Sequence, residues 1–230
     1  MEEGMKKVAV VLSGCGVYDG SEIQEAVITM LEIRKNGAEY QCFAPDKEHF
    51  HIINHLTGEE MPEKRNILIE AARIARGDIK PLSELRGKDY DAIVIPGGFG
   101  SAKNLTRWGI DGPKGDIDPD IKRVLIEAVE AGIPTGLLCM SPVIMAKALE
   151  GTGRSVRLTV GTTEEKSPYD IDAISNGIDS VGARSAMCPV RKFVIDEENK
   201  VITTPAYMME ANIEEVAEGI SRAVSKLLSL

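Results

Sequence analysis

Short apolar runs, each closed by a turn and followed by a helix-length segment, constrain this chain more than anything else in it. Residues 6–12 (Lys-Lys-Val-Ala-Val-Val-Leu), 40–44, 91–95 (Asp-Ala-Ile-Val-Ile) and 133–138 are too short for helices. Their apolar character is continuous rather than alternating, as in strands buried on both faces. Helical patterns lie between them. The first covers about 22–36, with Ser21 and Gln24 as a capping-box pair and Gly37 as its C-cap. Its expected buried stripe is Ile23, Val27, Met30 and Leu31. Residues 66–76 form a second helix, and Asp118-Pro119 opens a third that Gly132 closes. The last covers 212–228, with Ile213, Val216, Ile220, Val224 and Leu227 on one face. Strands alternating with helices predict an α/β fold: a mostly parallel sheet in a three-layer α/β/α sandwich.

The remaining chain reads as follows. Residues 156–160 form a strand, and 191–195 with 200–204 form a hairpin. The stretch 46–85 is longer than a plain βα repeat needs, so it reads as an insertion near the site face, with a small hairpin at 51–58. No repeat or linker divides the 230 residues, and a single domain over 1–230 is expected. The formal net charge of −9 disfavours nucleic acid and anionic membranes as partners. No apolar run approaches a membrane span, and no secretory signal is visible at the N-terminus. Cys15, Cys42, Cys139 and Cys188 show neither CxxC nor metal-ligand spacing, so no metal is expected. They read as reduced thiols of a cytoplasmic protein.

In a parallel sheet, ligands bind at the carboxyl ends of the strands. Residues 13–20, 96–100 and Cys139 all lie at such ends. Cys139 sits between the 133–138 strand and a helix over 142–149 whose first turn carries Pro142. That is the geometry of a nucleophile elbow with sulfur in place of a hydroxyl. The helix N-terminus favours its thiolate; the alternative is an inert core cysteine. Pro96-Gly97-Gly98 frees backbone N–H groups, and beside a thiolate these read as an oxyanion site. Its donors would be the N–H of Gly98 and that of Met140. Gly14-Cys-Gly16-Val-Tyr-Asp-Gly20 misses the dinucleotide-binding spacing by one residue and lacks an acid at the ribose distance. It reads instead as a glycine-rich turn, and no cofactor is expected.

Residues 96–105 (Pro-Gly-Gly-Phe-Gly-Ser-Ala-Lys-Asn-Leu), the Cys139 elbow and a glutamate early in the first helix resemble the PfpI-type, class I glutamine amidotransferase-like superfamily. Residues 12–23 (Leu-Ser-Gly-Cys-Gly-Val-Tyr-Asp-Gly-Ser-Glu-Ile), 53–59 (Ile-Asn-His-Leu-Thr-Gly-Glu) and 203–208 (Thr-Thr-Pro-Ala-Tyr-Met) narrow the resemblance to the ElbB family. That family is named for enhanced lycopene biosynthesis and described as glyoxalases. The resemblance spans nearly the whole chain. It implies a flavodoxin-like fold, a homodimer, a cysteine nucleophile, and cofactor-independent conversion of glyoxal, a small dicarbonyl, to glycolate. By the superfamily's distance to the helix-closing Gly37, Glu25 is the glutamate that pairs with the thiol, with Glu22 in reserve. Many superfamily members carry His directly after the cysteine, where this chain has Met140. Amidotransferases use a late His, yet His49, His51 and His55 are the only histidines. A glutaminase or protease reading therefore ranks below glyoxalase. The rival from another class is a redox-sensing or regulatory binding protein using the same Cys139.

Overall fold

The computed structural model describes residues 4–230; residues 1–3, on which part of the signal-free N-terminal reading falls, lie outside the described residues. The elements follow in order: β1 (Lys7–Val11), α1 (Ile23–Lys35), β2 (Glu39–Ala44), α2 (Ile67–Ile74), β3 (Ile79–Pro81), β4 (Ala92–Ile95), α3 (Gly100–Lys103), α4 (Trp108–Asp111), α5 (Pro119–Ala131), β5 (Thr135–Leu138), α6 (Pro142–Leu149), β6 (Arg157–Leu158), α7 (Ile171–Ser180), β7 (Arg184–Ser185), β8 (Val194–Asp196), β9 (Val201–Thr204) and α8 (Ile213–Leu228). Seven strands form one sheet in the order β3-β2-β1-β4-β5-β9-β8, parallel throughout except for the β8–β9 hairpin. This is the expected flavodoxin-like architecture. Helices α1, α2 and α8 pack together on one face, and α5 and α6 on the other, as right-handed crossovers require. Among the described residues no helix is long and apolar enough to cross a membrane.

The central strands carry the core. Residues 8–11 of β1, β4 and β5 are buried along their whole length, so both sheet faces are covered. Strand order reverses at β1, whose neighbours are β2 and β4. The chain therefore leaves β1 and β4 in opposite directions, and a crevice opens at their carboxyl ends. Those ends, with the end of β5 beside them, are where the site residues were expected.

The structure corrects several local expectations. Of the stripe assigned to the core side of α1, only Met30 is buried; Ile23, Val27 and Leu31 face outward, 45%, 48% and 49% exposed. The face turned to the sheet carries Glu25, Ala26, Thr29, Met30 and Ile33. Apolar residues surround this helix, so periodicity could not choose its inner face. The α1 cap is Glu22, whose carboxylate accepts the N–H of Glu25 at 2.6 Å, rather than Ser21. The Ser21 hydroxyl is buried and accepts the N–H of Ser13 at 2.8 Å. Residues 156–160 do contain a strand, but β6 pairs with β7 in a separate two-stranded sheet. Side chains draw it off: the Asp196 carboxylate accepts Arg157 N–H at 2.7 Å and the Thr203 hydroxyl accepts Thr159 N–H at 2.9 Å. The 51–58 hairpin is real but reaches further, with an antiparallel bridge from Ile53 to Glu60.

The loops on the site face are tied to the helices below them. Asp118 caps α5 by accepting the N–H groups of Asp120 and Ile121, and it also meets Lys47 at 2.5 Å. Asp118→Ala should cost about 1–2 kcal/mol, most of it from the lost cap rather than the partly exposed ion pair. Urea unfolding followed by the fluorescence of Trp108, the single tryptophan, measures this. Asp118→Asn, which keeps the capping oxygen, should lose much less.

Candidate active site

Cys139 follows directly on β5 and sits at φ 57°, the left-handed region that a non-glycine residue adopts only under constraint. The constraint is visible. Its N–H donates to Thr204 O of β9 at 2.9 Å, and the Ser141 N–H closes the turn on Leu138 O at 2.9 Å. The Ser141 hydroxyl donates to Pro96 O at 2.7 Å and meets the Ser101 hydroxyl at 2.9 Å. The elbow is thereby bolted to the turn after β4. Pro142 then begins α6, as expected.

Two glycines let that turn approach. At Gly97 a Cβ would lie 2.3 Å from Cys139 Cβ and 2.5 Å from Glu25 Oε2. Gly98 has φ 98°, and a side chain there would strike Gly20 O at 2.3 Å. The N–H groups of Gly98 and Met140 flank Cys139 and act to lower its thiol, against the effect of burial. The two expected oxyanion donors thus lie beside the sulfur.

Glu25 is fully buried at the same point. Its Oε2 accepts the Gly97 N–H at 2.8 Å, and its Oε1 accepts the Tyr207 N–H at 3.2 Å. Its carboxyl lies beside the Cys139 thiol: a Cβ at Gly97 would be 2.5 Å from Glu25 Oε2 and 2.9 Å from Cys139 Sγ. Glu22 stands at the helix cap instead. Its N–H donates to Gly97 O at 2.9 Å, which pins the start of α1 to the β4 turn and aims Glu25 inward. The structure thus brings Cys139, Glu25, Gly98 and Met140 together and leaves Glu22 at the edge.

Tyr207 was not anticipated. It lies just past β9, after Ala206 at φ 46°, and that left-handed residue turns the Tyr207 N–H toward Glu25. Its phenol hydroxyl donates to Gln24 Oε1 on α1. Tyr169 was also missed; its ring packs edge-on against Phe99, with centroids 5.5 Å apart. Burial, followed by the charges of Cys139, Tyr18 and Glu25, pushes its phenol up to about 12. Both tyrosines lie in loops, where no periodicity marks them. The signals available for Tyr207 were its place in the 203–208 motif and the topology, since the end of β9 joins the same sheet edge.

The electrostatics correct the expectation of a helix-stabilised thiolate. Cys139 is only 5% exposed, and burial pushes its thiol well above the ordinary value, with the Glu25 charge adding to the rise. The N–H groups of Gly98 and Met140 pull the other way. Desolvation outweighs the dipole of an eight-residue helix. Burial, then the nearby charge of Glu22, raises the Glu25 carboxyl to about 8 against the donors around it. At neutral pH Glu25 is therefore mostly protonated and places little charge against the sulfur.

The other cysteines differ. Cys42 lies against Met30 in the core, and burial pushes it to about 12; Cys188 is pushed to about 11. Cys15 is half-buried and raised by burial, with Glu70 and Asp19 contributing. None is disulfide-bonded. His55 accepts the Tyr18 N–H at 3.2 Å, and His49 meets Asp19 O at 3.0 Å. Both serve to hold the 49–55 segment against the loop after β1.

The Glu25 carboxyl carries a sign-definite pH effect. Between about pH 4.5 and about 8 the folded chain keeps a proton that the unfolded chain has lost. Stability from this group is therefore fully present below about pH 4.5 and falls as pH rises toward 8. The thermal midpoint of the wild type should drop across that window more steeply than that of Glu25→Gln, which has nothing to titrate there. Parallel curves would mean that Glu25 is already ionised at the low end.

The chain is similar along most of its length to several known proteins. It is 43% identical over 228 residues to the human "glutamine amidotransferase-like class 1 domain-containing protein 3, mitochondrial", covering 97% of this chain and 83% of that protein. It is 42% identical over 228 residues to the rat "ES1 protein homolog, mitochondrial", covering 97% and 84%. The crystal structure of an isoprenoid biosynthesis protein with an amidotransferase-like domain from Ehrlichia chaffeensis superposes with a TM-score of 0.86 at 35% identity, covering 97% and 99%. Drosophila melanogaster DJ-1beta, at 17% identity and a TM-score of 0.52 over 98% of both chains, shares the fold. No family model matches the chain.

Proposed function

The chain belongs to the family of ES1 proteins and ElbB-like isoprenoid biosynthesis proteins with a class I glutamine amidotransferase-like domain, and we propose that within it the chain is a glutathione-independent glyoxalase. The observation that carries this reading is the buried placement of the Glu25 carboxyl beside the Cys139 sulfur, where burial raises that carboxyl to about 8. A nucleophile beside a group able to give and take a proton at neutral pH suits an isomerisation better than a simple hydrolysis. A glutaminase-like reading wants a histidine, and the chain has none after His55.

The reaction runs as follows. Cys139 gives its thiol proton to the carboxylate form of Glu25 as its sulfur adds to one aldehyde carbon of glyoxal, forming the C–S bond. The carbonyl electrons move to oxygen, where the Gly98 and Met140 N–H groups receive the developing charge. Protonated Glu25 neutralises that oxygen, giving a hemithioacetal and a Glu25 carboxylate. The carboxylate then removes the hydrogen on the sulfur-bearing carbon and returns it to the neighbouring carbon, while the hydroxyl proton passes to the second oxygen. The product is a glycolyl thioester, isomeric with the hemithioacetal. Water, deprotonated by Glu25, cleaves it to glycolate and restores the thiol. No external oxidant or reductant enters.

Two further features belong to this proposal. Action in the cytoplasm is supported by four unpaired thiols, which suit a reducing compartment; the human and rat relatives carry "mitochondrial" in their names. A homodimer is supported by the outward stripe of Ile23, Val27 and Leu31 on α1, the helix that presents Glu25. Val27→Glu should shift the sedimenting species toward monomer; an unchanged wild-type monomer would remove the dimer from the reading.

Glycolate formation from glyoxal, followed by NMR without glutathione or added metal, tests the activity. Cys139→Ala should abolish turnover, and Glu25→Gln should lower it on the order of 10²-fold or more. Undiminished turnover in Cys139→Ala would overturn the mechanism. A wild type inert toward several dicarbonyls would favour the redox-sensing or regulatory reading of the same thiol.

A further inference from the structure

Glyoxal is a two-carbon molecule, yet the residue that follows Gly98 borders a cleft with more room than glyoxal needs. A cleft of about 410 Å³ is lined by Tyr18, Ile53, Gly58, Phe99, Lys103 and Gly109. Phe99 connects it to the chemistry. It follows Gly98 directly, its N–H is fixed on Val17 O at 2.7 Å, and its ring packs against Tyr169, whose phenol feels the charges of Cys139 and Glu25.

Lys103 closes the other side. Its ammonium lies 5.7 Å from the Phe99 ring centroid and donates to Tyr18 O at 3.0 Å. That bond uses one of its three donors. No carboxylate oxygen among the described residues lies within 4.0 Å of it. The nearest acidic influences are Asp19 and Glu60. Asp19 is itself buried, with Oδ2 accepting the Ile53 N–H at 2.7 Å, so it does not supply the missing partner. A half-buried ammonium with two idle donors, set over an aromatic floor, is a place for an anion attached to a short carbon chain.

Resting on the reading of Cys139 as a nucleophile toward aldehydes, we propose that this cleft is a subsite for the carboxylate arm of a larger aldehyde or α-keto aldehyde substrate, with Lys103 as the residue that selects it. The carbonyl end reaches Cys139, the carbon chain crosses Phe99, and the carboxylate takes the free donors of Lys103. One cation, with Asp19 and Glu60 in its neighbourhood, suits a monoanion better than a phosphate dianion.

The test needs only reversible thiol addition, so it does not depend on turnover. 4-Oxobutanoate and butanal, equal in length and differing in the carboxylate, are compared for slowing the alkylation of Cys139 by iodoacetamide, read by peptide mapping. In the wild type 4-oxobutanoate should protect at about tenfold lower concentration, the value of one charge-assisted contact. Lys103→Met should bring the ratio to about one, and Lys103→Arg should keep most of it. Equal protection in the wild type, or a ratio that survives Lys103→Met, would overturn the subsite. Stronger protection by glyceraldehyde 3-phosphate than by 4-oxobutanoate would overturn the choice of a carboxylate. Lys103-dependent protection in a protein inert toward glyoxal would instead sink the glyoxalase reading and leave the subsite standing.

Discussion

A carboxyl group without solvent governs this structure. Glu25 is completely enclosed, and burying an ionised carboxylate without compensation is far too costly for a marginally stable fold. The chain meets that constraint in two ways. It holds the group mostly neutral at physiological pH, and it supplies backbone donors from two separate loops, Gly97 and Tyr207. Much of the local backbone makes sense as the means to this end. Gly97 has no side chain because the carboxyl and the thiol occupy that space, and Ala206 adopts a left-handed φ so that the next N–H can turn inward.

The sheet topology makes the arrangement possible. Parallel strands bring the ends of β1, β4, β5 and β9 to one edge, so residues far apart in sequence meet without long connections. Cys139 comes from β5, its amide neighbours from the turn after β4 and from the elbow, and the second donor to Glu25 from the end of β9. Helix α1 enters this cluster because Glu22 N–H binds Gly97 O. One helix therefore links the buried carboxyl, the oxyanion turn and the exposed apolar stripe.

The same arrangement sets the electrostatic character of the thiol. A cysteine at a helix start is often acidified, but that rule assumes some exposure and no acidic neighbour. Here the sulfur is buried and faces a carboxyl, so the pair favours its protonated forms at rest. In the proposed reaction, carbonyl addition generates charge beside the sulfur, near the N–H groups of Gly98 and Met140.

Much of this was legible in the residues. Continuous apolar runs fixed the central strands and hence the parallel sheet, because strands buried on both faces leave no polar alternation. The elbow was readable from a strand, a cysteine and Pro142 in immediate succession, whereas Glu25 came from the family resemblance, by its distance to Gly37. Short-range physics decides such features: burial patterns, caps and glycine turns act within a few residues. Other features were closed to that reading. α1 carries apolar residues around most of its circumference, so only contact with the sheet selected Glu25, Ala26 and Met30 as the inner face. β6 was recognisable as a strand, but its separation from the main sheet followed from Asp196 and Thr203, some forty residues away. Tyr207, Tyr169 and Lys103 lie on loops or a single helical turn, where sequence shows no period to mark them. Their importance comes from where the tertiary structure sets them: around one buried carboxyl, one thiol and one open cleft. The sequence by itself determined the layers of the fold and put Cys139 and Glu25 forward as the candidate pair. Only the folded chain decided how those residues are solvated, which loops supply their hydrogen bonds, and which cation faces the cleft, because desolvation and long-range hydrogen bonding exist only once distant segments are packed together.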